Sequence, residues 1–255
     1  MNGAERAERS GGGAGGDLAR RSTLFLDYLE AFVAGLPERS LAEVVDRAGG
    51  PERVAIVLVD VVNGFCRFGA LASERVGAIV PPIVKLLEAA HAAGVSRVAV
   101  FRDSHTPNAL EFEQFAPHCI AGTPESVLVD EVARLPQAAG YFDVPKNSIS
   151  PWLGREDFVA WVDDLEASGV NTFIVVGDCT DLCVYQTAMP FKLRGNAADR
   201  RVNVIVPAAA VDTYDLPVEV ARGLGAMPHD GDLLHAVFLY HLRLNGVQVV
   251  RDLVV

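Results

Sequence analysis

Short, unbroken apolar runs recur along this chain. Val54–Val59, Arg97–Phe101, Tyr141–Val144, Asn171–Val176, Val202–Val206 and Val247–Val250 are rich in Val, Ile and Phe and bounded by Gly, Asn or charged residues. Runs of this length and composition read as strands, and a strand apolar at consecutive positions is buried on both faces. Between them the pattern changes to a helical period. Val76–Ala93, Pro124–Leu135, Asp157–Ser168, Asp181–Leu193 and Gly231–Leu244 carry it, and Gly94, Gly169 and Gly195 act as stop signals. Asn245-Gly246 turns the chain into the last strand. This alternation predicts an α/β fold: an open, mostly parallel, doubly wound sheet of about six strands, with helices on both faces in three α/β/α layers. The domain spans residues 51–255.

The first fifty residues stand apart. Residues 1–20 are rich in Gly and charge and are expected to be a disordered tail. Two amphipathic segments, Thr23–Leu36 and Ser40–Ala48, predict a helical extension over residues 21–50 that packs on the domain or on a second subunit. The Gly-rich start, followed by a segment with Asp27 and Glu30, does not read as a signal peptide. No apolar run is long enough to span a bilayer.

Composition narrows the partners. A net charge of −11 with no basic block argues against nucleic acid and against an anionic membrane. No GxGxxG follows a strand and there is no P-loop, so no nucleotide cofactor is expected. The four cysteines, Cys66, Cys119, Cys179 and Cys183, form neither a CxxC pair nor a small-domain framework. They read as reduced thiols of a cytoplasmic protein.

The candidate chemistry collects at strand ends. Ligands of open parallel sheets bind outside the carboxyl ends of the strands. The first strand ends in Asp60, the second in Arg102-Asp103-Ser104-His105, the third in Pro145-Lys146 and the fourth in Asp178-Cys179, with Cys183 four residues on. Gly177 and Asp178 break the fourth strand, and Thr180 or Asp181 can N-cap the next helix. Cys183 then lies in the first helical turn, where the helix terminus favours a thiolate. Asp60, Lys146 and Cys183 supply an acid/base, a cation and a nucleophile to one crevice. The loop from Asp103 to His118 adds Asp103, His105, Glu111 and His118. This mixed nitrogen and oxygen set suits Zn²⁺, Mn²⁺ or Fe²⁺ better than Ca²⁺ or Mg²⁺. Spacing leaves Glu113 and Cys119 as rival ligands, and leaves open a polar loop whose histidines only hydrogen-bond.

Four motifs in this order resemble the isochorismatase-like cysteine hydrolases and, within them, the nicotinamidases. They are Leu58-Val-Asp-Val-Val-Asn-Gly-Phe65; Phe101-Arg-Asp-Ser-His105 with Pro117-His-Cys-Ile-Ala-Gly-Thr123; Lys146 after the third strand; and Gly177-Asp-Cys-Thr-Asp-Leu-Cys-Val-Tyr-Gln-Thr-Ala188. The resemblance runs from about Arg53 to the C-terminus. It implies hydrolysis of a small carboxamide through a Cys183 thioester, with Asp60 as acid/base and Lys146 beside it. It also implies an oxyanion hole from the Cys179 and Cys183 amides, a cis Asp178–Cys179 peptide, and substrate contacts from Phe65, Phe115 and Asp178. One divalent transition metal, Zn²⁺ first and Mn²⁺ or Fe²⁺ next, is implied on Asp103, His105, Glu111 and His118, and family members are often homo-oligomers. Three positions depart from the family pattern: Val62 and Gly64 stand where Gln and Asp are common, and Glu111 stands where many nicotinamidases have His. The alternatives are isochorismate, biuret or another carbamoyl compound as substrate, a non-catalytic scaffold, and a redox or metal protein using the CxxxC of Cys179 and Cys183.

Overall fold

The computed structural model describes residues 15–255. Every residue of Val54–Val59 is buried, and the side chains alternate between two cores. Ile56 and Leu58 enter one; Ala55, Val57 and Val59 enter the other. That two-sided burial is what the unbroken apolar run requires.

In chain order the elements are α1 (Gly15–Ala34), β1 (Arg39–Ser40), α2 (Leu41–Ala48), β2 (Val54–Val59), α3 (Asn63–Cys66), α4 (Glu74–Ala78), α5 (Val80–Ala92), β3 (Arg97–Asp103), α6 (Asp130–Ala133) and β4 (Phe142–Lys146). There follow α7 (Glu156–Ala167), β5 (Thr172–Asp178), α8 (Cys183–Ala197), β6 (Asn203–Pro207), β7 (Val211–Asp212), α9 (Val218–Leu224), α10 (Gly231–Leu244), β8 (Gln248–Val250) and β9 (Leu253–Val254). Six strands run in the order β4-β3-β2-β5-β6-β8, and β7 joins the same sheet beside β5. All the pairings are parallel. The order turns back between β2 and β5, so the switch point, where ligands bind in such sheets, lies at the carboxyl ends of those two strands. Helices α2 to α6 cover one face; α7, α8 and α10 cover the other.

The N-terminal extension packs on this domain. Phe25, Tyr28 and Phe32 of α1 surround Tyr240 of α10, with ring centroids 5.3–5.9 Å apart. β1 pairs with β9, and α2 buries Leu41, Val44, Val45 and Ala48.

Several expectations are corrected. Helix α1 begins at Gly15, inside the stretch expected to be disordered; the rest of that stretch, residues 1–14, lies outside the described residues. The helix expected over Val76–Ala93 is two, joined at Ile79, because Pro81 and Pro82 lack the N–H groups that would continue the first one. The helix expected over Pro124–Leu135 is a 3₁₀ turn, an extended stretch and the short α6. Val127 and Val129 instead pair with the chain after β2, through Asn63 N–H to Val127 O (2.9 Å) and Val129 N–H to Val61 O (3.1 Å). Helix α8 starts at Cys183, and neither Thr180 nor Asp181 caps it.

Candidate active site

The switch point is built by close approach of two strands. Gly177 has φ +120°, and a Cβ there would run into the Val59 carbonyl oxygen, so only glycine fits. Just beyond, Asp60 leaves β2 with φ 55°, a conformation Asp tolerates better than most residues. Its Oδ1 accepts the Asp103 N–H at 2.8 Å, which ties the ends of β2 and β3 together.

Lys146, at the end of β4, sits among three acidic groups. Its Nζ is 2.8 Å from Asp60 Oδ2 and 3.6 Å from Cys183 Sγ, and it bonds Asp103 Oδ1 at close range. Carboxylate oxygens of Asp60 and Asp103 and the Cys183 sulfur lie within 4.8 Å of one another. Burial works against the Lys146 charge, yet Asp103 and Asp60 overcome it and hold the ammonium far above its usual range. Asp103 is likewise disfavoured by burial, but Lys146, His105 and His118 push it well below the carboxylate range. Asp60 goes the other way, to about 6, through burial first and Asp103 second, with Lys146 opposing. One ammonium cannot compensate two buried carboxylates equally, and Asp103 has the histidines besides.

Cys183 is the first residue of α8 and is 7% exposed. The helix start favours a thiolate here, and burial opposes it. Burial, with Asp60, Asp103 and Cys179 adding to it, raises the thiol well above its ordinary range despite Lys146. The Asp178–Cys179 peptide is cis. Among the described residues, neither the Cys179 nor the Cys183 amide donates a hydrogen bond. Asp178 is buried with Oδ2 unpartnered, and burial, Asp60 and Asp103 raise its carboxyl well above the ordinary range.

The histidines of the loop after β3 are arranged for a cation. Asn147 Oδ1 accepts the Thr106 N–H at 2.9 Å, so it acts as an acceptor toward His105 Nδ1, 3.3 Å away. His118 Nδ1 donates to the Ala116 carbonyl at 2.8 Å. Both Nε2 atoms face Asp103 Oδ2, 3.4 and 3.5 Å away, and help to lower its carboxyl. His105 Nε2 and Glu111 Oε2 are buried without a hydrogen-bond partner. Glu111 stands beside the cluster rather than in it: Oε2 is 3.7 Å from His105 Nδ1 and Oε1 accepts the Ile149 N–H. Of the rival ligands, Glu113 is exposed and Cys119 turns its sulfur toward the Glu125 carbonyl. Two imidazoles and a buried carboxylate that converge, with His105 Nε2 and Glu111 Oε2 unpartnered, are a donor set that fits a divalent transition ion.

Asp103, Glu111, His118 and Cys183 open on one pocket, while Asp60, Lys146 and His105 are not in its wall. Cys183, Cys179, Asp178, His118, Phe65 and Phe115 all line it, and Phe65 and Phe115 lie against His118 with centroids 5.4 and 6.3 Å away. Tyr214 and Ile149 complete the wall and were not singled out from the sequence. Neither were Asn147, which orients His105, nor His229 and Thr213, which hold Asp181 (Oδ2 to His229 Nε2, 2.8 Å; Thr213 Oγ1 to Oδ1, 2.6 Å). Asn147 and Thr213 follow strand ends, which is their only sequence signal; His229, just ahead of α10, has none.

Fold and site together define a class, the cysteine hydrolases built on an open parallel sheet. Residues 54–227 match the isochorismatase domain model. The chain is 33% identical over 216 residues to nicotinamidase 1 of Arabidopsis thaliana, covering 78% of this chain and 86% of that protein. Its fold is similar to that of N-carbamoylsarcosine amidase from Thermoplasma acidophilum, at 26% identity and TM-score 0.57 over 78% of this chain and 96% of the other. It is also similar to pyrazinamidase of Pyrococcus horikoshii in complex with zinc, at 21% identity and TM-score 0.58 over 78% and 99%. The chain belongs to the isochorismatase family of hydrolases. No helix among the described residues is long and apolar enough to cross a membrane.

Proposed function

We propose that the chain hydrolyses nicotinamide to nicotinate and ammonia through a thioester on Cys183. The observation that carries this reading is the joining, through Asp103, of the Asp60–Lys146–Cys183 set with the Asp103–His105–His118 cluster, beside a pocket that Cys183, Asp103 and His118 line. The likeness to a plant nicotinamidase supports the substrate.

Asp60 takes the thiol proton as the sulfur attacks the carboxamide carbon, so the thiolate exists only as it reacts. The free amides of Cys179 and Cys183 receive the developing oxyanion, a donor type whose removal costs about 2.7–4 kcal/mol. Asp60 then passes its proton to the departing ammonia and afterwards takes one from the water that cleaves the thioester. Lys146 keeps Asp60 in place throughout. Phe65 and Phe115 flank the substrate ring, and Asp178 contacts it near the carboxamide. Asp103, His105 and His118, with Glu111 beside them, are the residues that would hold a divalent ion, zinc first and manganese or iron next. Such an ion would bind the ring nitrogen and orient the ring.

The same reading takes the protein as cytoplasmic and homo-oligomeric, with an extension up to about residue 50 ahead of the hydrolase domain. A carbamoyl compound is the second candidate, favoured by the similarity to an N-carbamoylsarcosine amidase and by Val62 in place of the family glutamine. The deciding experiment measures ammonia release from nicotinamide with metal content read on the same sample. Turnover lost on chelation and restored by Zn²⁺, Mn²⁺ or Fe²⁺ is expected. Turnover that persists in metal-free enzyme defeats the metal assignment, and metal-loaded enzyme inert on nicotinamide but active on a carbamoyl substrate selects the second reading.

A further inference from the structure

The turn from Cys179 to Leu182 carries one carboxylate, Asp181, and its environment is unusual. Its Oδ1 accepts the Thr213 hydroxyl at 2.6 Å and its Oδ2 lies 2.8 Å from His229 Nε2. The other ring nitrogen, His229 Nδ1, is 2.9 Å from the Tyr214 carbonyl oxygen. A carbonyl oxygen only accepts, and so does an ionised carboxylate, so both ring nitrogens must donate. That is the imidazolium form. The ring also stacks on Tyr214, with centroids 3.9 Å apart and planes 18° apart, and Tyr214 walls the substrate pocket. His229 and Asp181 are both 8% exposed.

The surrounding charges agree with this geometry. Burial disfavours the charge on His229, but Asp181, the Tyr214 carbonyl and Asp215 outweigh it and raise the ring above the ordinary histidine range. Burial likewise disfavours ionised Asp181, and its bonds to His229 and Thr213 outweigh that and lower it. Arg75, which bonds the Thr213 carbonyl, is itself paired with Asp212 and Asp232. Thr180, one residue earlier in the turn, meets His235 of α10 at 2.9 Å, a ring that burial pushes toward the neutral form. His229 lies just beyond the residues matched by the family model, 54–227.

We infer that His229 is a positioning residue: as an imidazolium it clamps Asp181 and so fixes the Cys179 and Cys183 amides against the Tyr214 wall of the pocket. It touches neither the thiol nor the substrate carbon. Its effect is on the aim of the two amides, which matters most when the oxyanion forms. The inference rests on Cys183 being the nucleophile proposed above.

The test uses the full chain with its metal, as wild type, His229→Gln and His229→Ala. Nitrogen NMR of the wild-type ring near neutral pH, assigned by its loss in His229→Gln, is expected to show two protonated nitrogens. In His229→Ala, kcat on nicotinamide is expected to fall at least about tenfold while KM and the rate of Cys183 alkylation by iodoacetamide stay within about threefold. His229→Gln, which keeps one donor for Asp181, is expected to recover part of kcat. A neutral wild-type ring overturns the inference. So does an unchanged kcat in both variants, or a kcat that falls only in step with alkylation and melting temperature. If His229→Ala does not fold, the Gln variant and the ring spectrum decide. If wild type is inert on nicotinamide, the substrate reading fails, and the ring spectrum still judges the clamp.

Discussion

Lys146 carries the heaviest electrostatic duty of any residue in the site. It is the one ammonium among the buried carboxylates of Asp60 and Asp103. Removing it leaves those charges facing each other out of water. Lys146→Ala is expected to lose about 3–5 kcal/mol of stability in denaturant unfolding, and a loss below about 1 kcal/mol would contradict the network described. Cys183→Ala, by contrast, removes a small side chain at a helix start. It should keep its melting temperature within a few degrees and release no ammonia; residual turnover would end the thioester proposal. Asp60 sets the acid limb. With its carboxyl raised to about 6, it is an ionised base above that pH and a protonated, inactive one below. The ratio kcat/KM should therefore fall about tenfold per pH unit below about 6, and a flat profile down to pH 4.5 would remove Asp60 as the base. For folding the same shift has the opposite consequence. Whatever stability the retained proton lends is present below the unfolded value of 3.8 and is lost as pH rises through about 6. Sequence named Asp60, Lys146 and Cys183 from strand ends, but not the sign of the Asp60 shift, which depends on burial first and on how two carboxylates share one ammonium.

Between elements, the approach of β2 to β5 decides the geometry. Gly177→Ala should destabilise by more than about 2 kcal/mol or abolish soluble expression, because the new methyl meets the Val59 carbonyl. A variant of unchanged melting temperature would show the strands can part. Gly64 records a similar fit, since a Cβ there would strike the buried Cys119 sulfur. The departure of Gly64 from the family pattern thus goes with a cysteine packed against it. Strands were legible because two-sided burial writes itself as unbroken apolar runs. The stretch Pro124–Leu135 was not, because its helical spacing yields to backbone pairing with the chain after β2. Strand β7 was missed for another reason: two residues, Val211 and Asp212, hold no period.

Across the whole molecule, the N-terminal helix is fastened to the domain by aromatic contacts around Tyr240. Tyr240→Ala should lower stability by about 1–3 kcal/mol while leaving kcat/KM unchanged, measured by thermal melting beside the ammonia assay. A drop in kcat/KM without loss of stability would mean that α1 communicates with the pocket. Long-range contacts are where sequence reading ran out. Nothing local connects His229 with Asp181, or Asn147 with His105; only the folded sheet and its loops bring them together.

The loop after β3 and the turn after β5 reach the pocket from separate strands and share no ladder. Asp103, His105, Glu111 and His118 all belong to the first, Cys179 and Cys183 to the second. On the proposed function, the segment that orients the substrate and the segment that breaks its bond are separate stretches of chain. Changes to the loop after β3 would then alter what the pocket accepts, but only with Asp103 kept, because Asp103 also bonds Lys146 and Asp60.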